Sequence, residues 1–160
     1  MPAGRNDIVA AMRQQQQEIE QLALSLPDAA WTGGVYEAGW NAKQLLCHLT
    51  ESCGVAGFLV GFAQAPPSTS SGSGAAFDID DWNAGRVAAL QDKPVPALLE
   101  ELRGNTERNI AAVEAAPDEL LAKRIKAPWG AEGSVAGIIL ASIQEHGATH
   151  LSDLRQAASA

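Results

Sequence analysis

The stretch SVAGIILASIQEHGATHLSDLRQAA, Ser134–Ala158, decides the fold. Val135, Ile138, Ile139, Ser142, Ile143, His146, His150 and Leu154 recur at three- and four-residue spacing, so they share one stripe of a helix. Ser134 fits the N-cap of that helix. The stripe is apolar through its first half and then carries two imidazoles on the side that faces a core.

Three further helical patterns precede it. Residues 5–26 form an amphipathic helix with Ile8, Val9, Met12, Ile19, Leu22 and Leu26 as its apolar set. The Gln14–Gln17 run reads as a solvated face of that helix. Pro27 ends it, and Gly33-Gly34 marks a loop. The second helix starts at a capping box, Asn41 at N-cap and Gln44 at N3, with Trp40 placed to staple onto Leu45. It is predicted to reach about Ala63. Gly54, Gly57 and Gly61 lower its propensity but permit close helix–helix approach. Pro96 fits the first turn of a third long helix running to about Ala116, with Leu98, Leu99, Leu102, Ile110 and Val113 inside and Pro117 as its stop. A short helical segment, Trp82–Leu90, lies between helices two and three. Residues 117–133, around Pro128-Trp129-Gly130, read as loop. No stretch alternates with period two, so little strand is expected. Four long helices without an internal repeat predict an all-α four-helix bundle, with residues 1–160 as a single domain. The Pro/Ser/Gly-rich stretch 65–77 is long for a helix–helix loop and either shapes a site mouth or is a plain flexible connection.

The 160 residues are 46% hydrophobic, enough for a core without disulfides. A net charge of −8 argues against nucleic acid and anionic membrane surfaces as partners. The N-terminus has no signal-peptide h-region, and the most apolar run, residues 55–65, is too short to span a bilayer. A cytoplasmic protein is expected. Cys47 and Cys53 read as small buried hydrophobes, pointing to different helix faces and so not disulfide-bonded; a sharper reading makes Cys47, beside His48, a metal ligand. No P-loop or dinucleotide fingerprint opens a helix, so ATP and NAD are not implied.

The chain has 3 histidines. His146 and His150 stand one helical turn apart on one side, which lets both reach one metal ion. Random placement of three histidines gives such a pair in about 4% of cases. His48 lies on the inner side of helix two, between Leu45 and Leu49. Three neutral imidazoles with open positions would make a catalytic-type site for Zn²⁺, Ni²⁺, Fe²⁺ or Mn²⁺. The metal would lower the pKa of a bound thiol or water and so supply a nucleophile near neutral pH, a thiol leading to S-transfer onto an electrophile and a water to hydrolysis. Glu51, three residues after His48, is the candidate catalytic carboxylate. Glu145 and Asp153 flank the histidine pair and can orient an imidazole. Trp40, Trp82 and Trp129 are candidate walls of a ligand pocket, with core packing as their plainer role.

The run Trp40-Asn41-Ala42-Lys43-Gln44-Leu45-Leu46-Cys47-His48-Leu49, with Glu145-His146 and His150 near the C-terminus, resembles the DinB-like superfamily of metal-binding four-helix bundles. That superfamily includes YfiT-type hydrolase-like proteins and the metal-binding domain of mycothiol-dependent maleylpyruvate isomerase, and is unrelated to the polymerase of the same name. Asn83-Ala84-Gly85-Arg86-Val87, Pro94-Val95 and Pro128–Ser134 are similar to it too. The resemblance implies His48, His146 and His150 as the ligands, and a homodimer. It also implies chemistry on a small thiol (mycothiol, bacillithiol or glutathione), whose metal-bound thiolate acts in transfer or isomerisation. The isomerase has a second, C-terminal domain that has no counterpart here. Alternatives are a non-enzymatic metal or small-ligand-binding stress-related protein, and a bundle that keeps the site only for stability.

Overall fold

The structure is a computed structural model that describes residues 4–52, 55–66 and 77–159. Its long elements are α1 (Arg5–Ser25), α2 (Ala42–Ser52), α3 (Val55–Gln64), α4 (Ile79–Leu90), α5 (Val95–Ala115), α7 (Val135–Ala141) and α8 (Gly147–Ser159). A five-residue α6 (Asp118–Ala122) and a ribbon of β1 (Arg124–Lys126) and β2 (Glu132–Ser134) join α5 to α7. Helix α1 packs on α5 and on α7–α8; α2 packs on α5 and α8, and α3 on α5 and α7. The four layers of the bundle are therefore α1, α2/α3, α5 and α7/α8, as the periodicity predicts.

The helix starts follow the capping rules. Asn41 Oδ1 accepts the Gln44 N–H at 2.9 Å while Gln44 Oε1 accepts the Asn41 N–H at 3.0 Å, the reciprocal pair expected for α2. Ser134 Oγ accepts the Gly137 N–H at 3.0 Å and starts α7. Helix α4 begins earlier than expected. Asp78 caps it by accepting the Asp80 and Asp81 N–H groups, so Ile79 is its first residue. The segment 117–133, expected as loop, holds α6 and the ribbon. The ribbon pairs Ile125 with Gly133 and turns through Gly130 at φ 98°. Three-residue strands are too short to show period-two alternation in sequence.

Two apolar clusters fill the bundle. One joins Ile8 and Met12 of α1 to Leu59 of α3, Ile110 and Val113 of α5, and Ile139 of α7. The other joins Ile19 of α1 to Leu45 and Leu49 of α2, Leu98 and Leu102 of α5, and Leu154 of α8. Among the described residues the buried polar side chains are Gln15, His48, Thr50, Thr106, Asn109 and His150. Gln15, Thr106, Asn109 and His150 sit where their helices pass from one cluster to the other, so the bundle has a polar waist. Buried polar groups need partners, and most here have them. Asn109 Oδ1 accepts the Gly57 N–H at 2.7 Å, and Asn105 Nδ2 donates to Thr50 O at 2.8 Å. The two asparagines of α5 thus hold the facing ends of α2 and α3. A Cβ on Gly57 would lie 2.8 Å from Asn109 Oδ1, which gives that glycine the close-approach role expected of it. Gly61 has open space around it instead, and Gly54 lies outside the described residues.

The Gln14–Gln17 run is not uniformly solvated. Gln15 is buried, and its Nε2 donates to Ile143 O at 3.3 Å. By length and composition the stretch 42–64 is apolar enough to cross a membrane, longer than the 55–65 run singled out in the sequence. Some 60% of its most apolar 18-residue window is buried inside the bundle, so protein already covers most of that window. Cys47 is buried in the second cluster, and Cys53 lies outside the described residues, as does most of the 65–77 loop.

Candidate metal centre

Helix α2 carries His48 at the waist, and the C-terminal helical run carries the other two histidines. That run is not one uninterrupted α-helix. Residues Ser142–His146 form a π turn, in which the Gly147 N–H bonds to Ser142 O, one residue further back than α geometry requires. The extra residue shifts the phase of the stripe. Ile143, Gly147, His150 and Leu151 are buried, whereas His146, expected on the inner stripe, is on the exposed rim. From there it closes over the other two rings.

His146 Nε2 lies 3.2 Å from His48 Nε2 and 3.0 Å from His150 Nε2. One nitrogen from each of the three rings falls within a 4.8 Å group. Three imidazole nitrogens placed tetrahedrally about a zinc ion, each about 2.05 Å from it, stand about 3.3 Å apart. The two spacings to His146 match that donor set, and the third pair lies within 4.8 Å. Protons compete weakly for the His48 and His150 nitrogens. The His48 pKa is pushed down to about 3, chiefly by burial and then by His150 and His146. The His150 pKa is also lowered, by burial and by His146, against the opposing pull of Glu37 and Asp153. His48 and His150 are therefore neutral at pH 7, with lone pairs free for a metal. His150 is completely buried and its Nδ1 has no hydrogen-bond partner among the described residues, which leaves Nε2 as the nitrogen aimed into the group.

Trp40 lies beside His48 with ring centroids 5.0 Å apart and planes tilted by 39°, packs against the second cluster, and is not among the residues lining the neighbouring cavity. Trp82 and Trp129 do line that cavity, which has a volume of about 520 Å³ and opens beside His48 and His146. Glu51 also lines it, with Oε1 2.7 Å from Arg86 Nη2. Glu145 is exposed and lines a smaller depression on the other side of His146. Burial lifts the Cys47 thiol pKa to about 11, so Cys47 stays protonated and is not among the grouped donors.

Glu37 is a neighbour that the sequence reading missed. Its Oε2 is 3.4 Å from His150 Nε2, and it lines the cavity while remaining 52% exposed. It sits in a single 3-10 turn, Glu37–Gly39, with Ala38 in the left-handed region at φ 58°. That conformation costs an L-residue roughly 1–2 kcal/mol. The sequence signal was faint: a carboxylate in a glycine-flanked turn four residues before the cap of a histidine-bearing helix.

The model of the mycothiol maleylpyruvate isomerase N-terminal domain matches residues 12–155. The chain belongs to that family. It is a DinB-like helical bundle. Among solved structures it is similar to mycothiol-dependent maleylpyruvate isomerase, at 12% identity and TM-score 0.67, with 93% of this chain aligned. A mutant of that isomerase aligns equally well. The chain spans 60% of the isomerase's length. An uncharacterized protein from Clostridium difficile 630 aligns at 11% identity and TM-score 0.73, covering 98% of this chain and 96% of the other. No curated protein matches the chain.

Proposed function

We propose that His48, His146 and His150 hold one divalent metal ion and that the protein, as a single domain, acts on a low-molecular-weight thiol, in transfer or isomerisation. The convergence of three Nε2 atoms at 3.0 and 3.2 Å carries the metal part of this reading. The family supports the thiol part, since the related isomerase is described as mycothiol-dependent. A metal held by three neutral imidazoles supplies a Lewis acid that lowers the pKa of a bound thiol or water. The chain's own residues do the rest. Burial keeps His48 and His150 unprotonated. Trp40 packs beside the His48 ring. Glu37 places a carboxylate beside His150, within reach of a proton released at the site. Phe58, Trp82 and Trp129 present apolar surface to the ligand's body and exclude water from it.

Elemental analysis of the purified protein tests the metal reading, with close to one divalent ion per chain expected. His146→Ala removes an exposed ring and opens no core cavity, so the fold survives and bound metal falls at least about tenfold. Equal metal content in both proteins would overturn the assignment. Turnover of the metal-loaded protein with mycothiol, bacillithiol and glutathione against reactive electrophiles then separates an enzyme from a binding module. A loaded site that turns over none of them marks a binder.

A further inference from the structure

The cavity beside the three imidazoles has an uneven chemistry. Two aromatic pairs wall it, Phe58 with Trp129 at 5.9 Å and Phe77 with Trp82 at 6.2 Å between ring centroids. Its volume of about 520 Å³ suits a small organic molecule. Among the described residues its ionised lining consists of Glu37, Glu51 and Asp80 against Arg86. The guanidinium is already committed, with Nη2 2.7 Å from Glu51 Oε1. The lining therefore carries two net negative charges and no uncommitted cation. The whole chain reinforces this with a net charge of −8. A divalent ion on the histidines would balance the lining and accept one anionic donor atom at the metal. A second anionic group on the same ligand would meet Glu37 or Asp80 with no cation free to receive it.

We propose that this cavity selects against carboxylate and phosphate groups beyond the atom that reaches the metal, so that of the three thiols named above it favours the carboxylate-free mycothiol over glutathione and bacillithiol, which carry two carboxylates each. Uncharged and cationic molecules fit; dicarboxylic keto acids do not. The inference rests on the metal reading for the position of the donor atom, but the charge selection belongs to Glu37, Glu51, Asp80 and Arg86.

Calorimetric titration with three matched thiols tests it: benzyl mercaptan, its 4-aminomethyl analogue and its 4-carboxylate analogue. The neutral and ammonium probes should bind at least about tenfold more tightly than the carboxylate, the equivalent of one unscreened like-charge contact. Glu51→Gln frees Arg86, so it should raise affinity for the carboxylate probe several-fold relative to the neutral probe. The same ranking is expected in chelator-treated protein, where the lining's charge is unbalanced. Metal content measured on each sample thus keeps failure of the metal site distinct from failure of the selection. Equal or tighter binding of the carboxylate probe would overturn the proposal. So would a Glu51→Gln variant with the gap unchanged, or no binding of any probe.

Discussion

His48 shows how one side chain can be both a stability cost and a chemical asset. Burial and two neighbouring imidazoles hold its pKa near 3, against an ordinary value of 6.5. The unfolded chain therefore takes up a proton at this residue between those two values, and the native state does not. Unfolding is favoured by that uptake, so the metal-free fold loses stability as pH falls from about 6.5 toward 3 and gains none from this residue above 6.5. Urea midpoints of chelator-treated protein at pH 7.5, 6 and 5 should fall in that order, and His48→Gln should flatten the trend. A midpoint that rises on acidification would contradict the burial argument. The same scale governs Glu37. It is half-exposed and sits at a turn, so Glu37→Gln should leave the metal-free fold intact. It should nevertheless weaken metal binding several-fold in a chelator competition, because it removes a negative charge that stands 3.4 Å from the His150 nitrogen assigned to the ion.

At the scale of elements, the π turn is the feature that brings His146 over the other rings, and α1 holds it. Gln15 donates to Ile143 O inside that turn. A Cβ on Gly147 would lie 2.0 Å from Gln15 Nε2, so the glycine and the glutamine fit only each other. Gln15→Ala strands a buried carbonyl and should cost about 1–3 kcal/mol. Gly147→Ala displaces the amide and should cost a similar amount alone. In the Gln15→Ala background the clash is gone, and alanine's better helix propensity should make Gly147→Ala neutral or stabilising by up to about 1 kcal/mol. Urea denaturation of the four proteins reads this non-additivity directly, and simple addition of the two costs would refute the contact.

This pair also shows what the sequence could and could not disclose. Ile8, Met12, Gln15 and Ile19 are spaced four, three and four, so Gln15 occupies a core position despite its place in a glutamine run. That signal was present. Its partner was not, because nothing local in SIQEH announces an extra residue per turn. The capping box at Asn41 and Gln44 and the long apolar stripes were legible because they depend on contacts within one helix. The histidine trio was legible because His146 and His150 share a helix and His48 sits in a recognisable run. Glu37, which reaches His150 only through a 3-10 turn, leaves just a faint local signal.

On the scale of the whole molecule, a metal ion held by the three histidines would make the bundle's stability depend on its occupancy. His48 belongs to α2, whereas His146 and His150 belong to the C-terminal run, so one bound ion would tie two layers of the bundle together. A ligand that binds only the native state adds about 2.7 kcal/mol at one hundred times its dissociation constant. For a chain of this size each kcal/mol moves Tm by roughly 2–4 °C, so chelation should lower Tm by about 5–11 °C. The acidic surface offers a rival explanation for any such shift. With 19 Asp and Glu residues, loosely held cations could stabilise the chain by relieving self-repulsion. His146→Ala separates the two, because it removes one imidazole from the group and leaves every carboxylate in place. The variant should melt at the same temperature with and without chelator, close to the chelated wild type. If it still loses as much as the wild type, the ion that matters sits on the surface, and the waist is held by its hydrogen bonds alone.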